Sequence, residues 1–173
     1  FTFASKEMEN KPNILAIDPG GKELGVVVLE GQQLLFYAVK PTKLHTNDQV
    51  SFQHIKRLIN GFISTYKTSV LVIKEVPNSY INAREINEVA NYIINLVQSR
   101  NISVFEYTPN TVRRSVCKSN KATRKQMFNR LAITYPELGR FEAKSVWRDR
   151  YYGKVFTALA LGLTCFDQLK TNN

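Results

Sequence analysis

The stretch that constrains this chain most is Ile14-Leu15-Ala16-Ile17-Asp18-Pro19-Gly20-Gly21, where four apolar residues run into one acid and then into a Pro-Gly-Gly break. An unbroken apolar run of this length reads as a strand covered on both faces, because a strand with one wet face would alternate. Proline and the glycines end it and let other groups approach the backbone closely. Asp18 then stands at the end of a central strand, where a carboxylate is costly without a partner. A metal ion, a lysine or backbone donors would each serve. A local Asx-turn would also account for the acid with no function attached, so the run alone leaves these readings open.

The rest of the chain supplies the elements around that strand. Residues 24–29 and 33–39 read as two further strands, with turns at Gly20-Gly21 and Glu30-Gly31, which together predict an antiparallel meander with 13–18. Phe52, Ile55, Leu58, Ile59, Phe62 and Ile63 recur at helical spacing within 47–66. Ser69 to Ile73 is a second buried strand, ended by Lys74-Glu75-Val76-Pro77. Ile86, Val89, Ala90, Ile93, Ile94 and Val97 make one apolar stripe along a helix over 82–99. A strand over 103–107 follows, then a short helix capped by Asn110 and running through Val116. Thr123 and Gln126 have capping-box spacing and open a helix to about Tyr135, where Pro136 stops it. Residues 139–148 read as irregular, and the last helix spans 150–169 with Val155, Ala158, Leu159, Gly162, Leu163 and Phe166 inward. The expectation is a polar tail over 1–12, one domain over 13–169 and a short tail over 170–173.

Charge narrows the partner. The 173 residues carry 24 Lys and Arg against 14 Asp and Glu, a formal charge of +10. Such an excess points to a polyanion, nucleic acid first and acidic lipid second. Nucleic acid is the partner preferred and a membrane is not expected as one; no apolar stretch approaches the roughly 20 residues that a helical membrane span requires. Between Thr111 and Arg130 lie seven cations, Arg113, Arg114, Lys118, Lys121, Arg124, Lys125 and Arg130, with no acid. A solvated helix face mixes signs, so this segment reads as a phosphate-contacting surface. Ser119, Asn120 and Thr123 add neutral donors of the kind that position a backbone. Tyr80, just past the second central strand, can stack on an opened base or pack locally. Cys117 and Cys165 form no C-x-x-C and read as buried thiols of a reducing, intracellular compartment, bacterial or organellar. His45 and His54 lack a third ligand nearby, so no zinc site is proposed.

The opening Ile14-Leu15-Ala16-Ile17-Asp18-Pro19-Gly20 with Leu24-Gly25 resembles that of RuvC-type Holliday junction resolvases. The segment Tyr107-Thr108-Pro109-Asn110-Thr111-Val112-Arg113-Arg114, then Asn120-Lys121-Ala122-Thr123-Arg124-Lys125-Gln126, is similar to the family's junction-binding region. The run Phe156-Thr157-Ala158-Leu159-Ala160-Leu161-Gly162-Leu163 is similar to its last helix. The likeness covers about 13–166 and is nearest to the branch found in cyanobacteria and related lineages. It implies an α/β, ribonuclease-H-like fold: a mixed five-stranded sheet flanked by helices on both faces. It implies a homodimer, for which the 82–99 helix, with Asn91 and Tyr92 beside its apolar face, is the candidate contact. It also implies binding of four-way or branched DNA, for which the basic segment offers Arg113, Arg114, Lys118, Asn120, Lys121, Thr123, Arg124 and Lys125, with Tyr80 as a stacking candidate.

The family's chemistry implies Mg²⁺ (or Mn²⁺) in pairs about 4 Å apart, held by carboxylates at strand and helix ends. Asp18 matches the first of these acids. The second is expected directly after Ile73, where this chain has Lys74. The acid of the last helix is expected after Phe156, where it has Thr157, and three residues earlier stands Lys154. The reading preferred here is therefore a junction-binding protein with a degenerate centre and no cofactor, Lys74 neutralising Asp18. The first alternative is an active Mg²⁺-dependent endonuclease using Asp18, Glu75 brought round by a bulge, and Asp149. The second is a structural subunit of a larger nucleic-acid-processing assembly, with protein partners of its own.

Overall fold

The computed structural model describes residues 11–42, 48–141 and 146–172, and of residues 48, 140–141 and 146–151 the backbone alone. Its five strands are β1 (Asn13–Asp18), β2 (Glu23–Glu30), β3 (Gln33–Pro41), β4 (Val70–Lys74) and β5 (Ser103–Tyr107). They form one sheet in the order β3-β2-β1-β4-β5. β1–β2 and β2–β3 pair antiparallel through short turns, whereas β1–β4 and β4–β5 pair parallel. Parallel neighbours require a crossover, here α1 (Asp48–Tyr66) and then α2 (Ala83–Gln98). The mixed five-stranded sheet is the one that the family resemblance implies.

Both faces of the sheet are covered, which is why its inner strands are apolar throughout. Ile14 and Ala16 of β1, with Val70 and Val72 of β4, face α3 (Pro109–Cys117), α4 (Arg124–Thr134) and α5 (Val146–Thr171). Leu15 and Ile17, with Leu71 and Ile73, face α1 and α2. Ile14 through Ile17 are completely buried, so β1 is the spine between two cores. α5 lies against β1 and β2 because Gly25 has no side chain. A Cβ there would collide with the Lys154 backbone carbonyl.

Local chemistry corrects the sequence reading at three helix ends. α3 is capped by Thr108, not Asn110: the Thr111 amide donates to Thr108 Oγ1 at 3.2 Å, and Pro109 occupies the first turn. Proline's fixed φ and missing N–H suit that position, which moves the helix start forward. The Thr123–Gln126 capping box is present, with Gln126 N donating to Thr123 Oγ1 at 3.2 Å and Thr123 N to Gln126 Oε1 at 2.8 Å. The stretch read as irregular, 139–148, takes in the end of a 3₁₀ turn over Pro136–Phe141 and the first residues of α5, which begins at Val146 and runs two residues past Leu169. His45 lies outside the described residues.

Candidate nucleic-acid interface and its carboxylate centre

Asp18 and Lys74 are the last residues of two adjacent parallel strands. The register Ile17↔Ile73 carries one step further to set them side by side. Side chains alternate along a strand, so Asp18 shares a face with Ile14 and Ala16, and Lys74 with Val70 and Val72, on the α5 side of the sheet. There the Lys74 ammonium forms an ion pair with Asp18 Oδ1. Asp18 is buried, only 3% exposed. Its Oδ1 has no hydrogen-bond partner besides that ammonium among the described residues.

The other positions that the resemblance singles out do not add a carboxylate. Thr157 Oγ1 donates to Gly153 O at 2.9 Å, one turn back on its own helix. Lys154 reaches the β1–β2 turn, where a Cβ on Gly20 would lie 2.5 Å from its Nζ. Glu75 is exposed, and its amide continues the ladder by donating to Tyr107 O at 2.9 Å. No bulge interrupts β4 on either side, so the structure does not bring Glu75 to Asp18. Asp149 lies in α5 with its side chain outside the described residues, eight positions and roughly 12 Å along the axis from Thr157. Among the described residues no three His, Cys, Asp or Glu side chains come together. A divalent pair needs several anionic oxygens at one place. One carboxylate already met by an ammonium does not fit it.

The basic helices close over this centre. A cavity of about 310 Å³ is lined by Asp18, Lys74 and Thr157, by Arg113 of α3 and Arg124 of α4, and by Tyr80 at 45% exposure. Val112, Met127 and Leu161 supply its apolar wall. Arg124 is held in place from behind: its guanidinium lies 4.7 Å from the Phe128 ring centroid, and Phe128 stacks on Phe156 at 5.1 Å. A Cβ on Gly153 would come 2.5 Å from Arg124 Nη2, so the bare α5 backbone leaves room for this side chain. Arg113 contacts Asn110 Oδ1 and also lines a second, polar hollow of about 280 Å³ with Arg114, Ser119 and Asn120. α3 is thus a ridge with a basic hollow on either side, and Arg113 serves both.

The remaining residues of the basic segment stand outside these hollows. Lys118 lies 3.9 Å from Asp167, an exposed pair. Lys121 and Lys125 are exposed, and the Thr123 hydroxyl is taken by its capping bond. Tyr107, the register partner of Lys74, donates its hydroxyl to Gln168 Oε1 at 2.9 Å. Burial pushes its phenol up to about 12 and the Cys165 thiol up to about 11. Both are therefore neutral at pH 7 and leave the local charge to the cations. Sequence reasoning missed the apolar wall. Its signal was the three-residue spacing of Arg124 with Met127 and of Pro109 with Val112, which puts each pair on one helix side.

Comparisons with known proteins agree with this architecture. The family model described as crossover junction endodeoxyribonuclease RuvC matches residues 14–134. The RuvC of Pseudothermotoga lettingae is 28% identical over 126 residues, covering 69% of this chain and 78% of the relative. That of Rickettsia prowazekii is 26% identical over 120 residues, covering 66% and 76%. Among solved structures, Thermus thermophilus RuvC in complex with Holliday junction substrate superposes with a TM-score of 0.73 at 18% identity, covering 92% of this chain and 96% of that one. The yeast mitochondrial Holliday junction resolvase gives 0.64 at 15% identity, covering 96% and 85%. At such identities these superpositions speak for the fold, which is the ribonuclease-H-like one.

Proposed function

The chain belongs to the RuvC family of crossover junction endodeoxyribonucleases, and from that premise we propose that it binds four-way and other branched DNA through a centre that is not built to hold metal. Family members work with divalent metal. The observation that carries the second half of the proposal is the ion pair between Lys74 and Asp18, in the place where a metal would need both positions anionic. The first half is supported by the family and by the chemistry of the surface. Arg113 and Arg124 frame one hollow and Arg113, Arg114 and Asn120 another, with exposed Lys121 and Lys125 beside them. Charge-assisted contacts from such groups fix a DNA backbone without reading its sequence.

A four-way junction presents equivalent strands, and a two-fold dimer would meet two of them alike. In that dimer α2 is our candidate contact, with one adjustment. Tyr92 is half-buried against Phe52 of α1 at 4.6 Å between ring centroids, so it serves its own chain first.

A labelled four-way junction and a duplex of the same length, titrated with the protein in EDTA and then in Mg²⁺ or Mn²⁺, test both halves. The expected result is preferential junction binding in either buffer without strand cleavage. Metal-dependent cleavage would establish the active endonuclease instead. Equal, weak binding to both DNAs together with tight capture of a protein would favour the assembly subunit.

A further inference from the structure

We infer that Lys74 and Asp18 form an imine-making pair that cuts DNA at abasic sites, breaking the strand on the 3′ side of the bare sugar by β-elimination. The inference rests on the nucleic-acid reading above and adds an activity to it. The substrate class is an aldehyde: a deoxyribose that has lost its base opens and presents C1′ as a carbonyl. A lysine amine condenses with a carbonyl, whereas a guanidinium does not. Among the described residues lining the cavity, Lys74 is the one amine, beside Arg113 and Arg124. Its side chain is 15% exposed and that of Asp18, which it touches, 4%. The amine therefore opens on the cavity with a carboxylate already in contact, the proton carrier that condensation requires.

Asp18 accepts one proton from the Lys74 ammonium, and the freed nitrogen lone pair attacks C1′. A second N–H proton moves to the former carbonyl oxygen, Asp18 returns the first, and the oxygen leaves as water. The product is a protonated imine between Nζ and C1′, so charge is conserved. The carboxylate, ionised again, removes a proton from C2′, and that electron pair forms C1′=C2′ and neutralises the imine nitrogen. The nitrogen lone pair then re-forms the imine, the C1′=C2′ pair shifts to C2′=C3′, and the C3′–O bond breaks with its pair on the departing phosphate. Asp18 gives its proton to water. A water molecule hydrolyses the unsaturated imine, which restores the Lys74 ammonium. One strand end keeps an unsaturated aldehyde and the other a 5′ phosphate, with no electrons gained or lost overall.

The rest of the cavity suits these steps. Arg113, held by Asn110, and Arg124, held by Phe128, offer ordered guanidinium forks to the phosphates on either side of the sugar. The charge that gathers on the leaving phosphate meets the same groups. Val112, Met127 and Leu161 wall the cavity, and condensation, which releases water, is favoured where water is scarce. The volume of about 310 Å³ is at the small end of cavities that hold organic ligands, about 300–1,000 Å³. That favours a sugar without its base, which is also the nucleotide that leaves a stack at least cost. Intact DNA carries no aldehyde, so the expectation that an undamaged junction is not cut is unchanged.

The test is reductive trapping. A 5′-labelled duplex with a single aldehyde abasic site is mixed with the full chain at pH 7 in EDTA, with and without cyanoborohydride. With the reductant a covalent protein–DNA adduct is expected, and peptide mapping should place it on Lys74. Without the reductant the labelled strand should be shortened and end in the unsaturated aldehyde. Lys74→Arg keeps a cation beside Asp18 but cannot condense, so it should abolish both products. Asp18→Asn should slow trapping about a hundredfold, the scale of a lost general acid–base group. It should leave binding to a tetrahydrofuran analogue of the site, which has no aldehyde, in place. Lys56→Gln, exposed on α1, should trap like the parent. Folding of each variant is checked by circular dichroism. Should Lys74→Arg unfold, the mapped position of the parent's adduct still decides the matter. Absence of an adduct, an adduct on another lysine, its persistence in Lys74→Arg, or trapping by Asp18→Asn at the parent's rate overturns the inference. Titration of the same protein with an undamaged junction and duplex separates the two readings. Junction preference without trapping sinks only the abasic-site activity, and trapping on Lys74 without junction preference sinks only the branched-DNA reading.

Discussion

Replacing Lys74 by Met asks whether its ammonium neutralises Asp18. The Asp18 side chain is 4% exposed and that of Lys74 15%. Methionine keeps the length and the apolar stem but leaves the carboxylate buried without a counter-charge. Removing one partner of a fully buried pair costs about 3–5 kcal/mol. Lys74 retains some water, so the lower end, about 3 kcal/mol, is expected here. For a chain of this size each kcal/mol moves the melting temperature by about 2–4 °C, so the midpoint should fall by about 6–12 °C. Asp18→Asn alone leaves an ammonium close enough to the surface to find water and should cost about 1 kcal/mol. The double variant has no charge left to strand. Its cost should fall below the sum of the single ones by about 2 kcal/mol, a coupling energy of the size that touching residues show. Urea unfolding of all four proteins at pH 7, followed by circular dichroism, measures each term. A Lys74→Met variant within about 0.5 kcal/mol of the parent, or an additive cycle, would refute the claim that this lysine neutralises a buried carboxylate.

Other outcomes follow from the same geometry. Lys74→Glu combined with Thr157→Asp should place three carboxylates around the cavity, so Mn²⁺ should raise the melting temperature of that double variant and not that of the parent. If the parent responds as well, Asp18 has metal partners besides these two positions. Junction affinity should fall with salt at a log–log slope near −4 to −5 if about five cations of the 111–130 segment neutralise phosphates, and a slope near zero would remove that segment from the interface. Gly25→Ala should cost about 3 kcal/mol or more in urea unfolding, because its Cβ meets the Lys154 backbone rather than a movable side chain. Cys165 and Tyr107 have folded pKa values raised from 9.0 to about 11 and from 10.0 to about 12. The stability they contribute is present below pH 9 and is lost as the pH climbs through 11 and 12, because the unfolded chain gives up its protons first. Cys165→Ala should flatten the first part of that decline.

Much of the fold was legible in the sequence because it is written in local periods. The unbroken run of 14–17 is completely buried between two cores, and the α2 stripe buries Val89, Ala90, Ile93 and Val97. Thr123 and Gln126 close their capping box through side chains three residues apart. Such features depend on neighbours along the chain, so composition and spacing carry them. The start of α3 was misjudged at the same local level, because a threonine before a proline competes with the asparagine after it and the proline ring favours the earlier cap.

The centre was only half written in the sequence. That an acid ends one buried strand and Lys74-Glu75 ends the other is plain in the sequence, but which of the two meets Asp18 is decided by strand pairing. One residue of slip would have turned Glu75 inward and Lys74 away. The unshifted parallel register from Ile14↔Val70 to Ile17↔Ile73 turns Lys74 to Asp18 instead. Likewise Arg113 and Arg124 were visible as cations of one basic segment. Only the packing of α3 and α4 against α5 brings both to the cavity that holds Asp18. No local period encodes such a meeting. It depends on distances between elements far apart in sequence, which the buried apolar faces set when they close on one another.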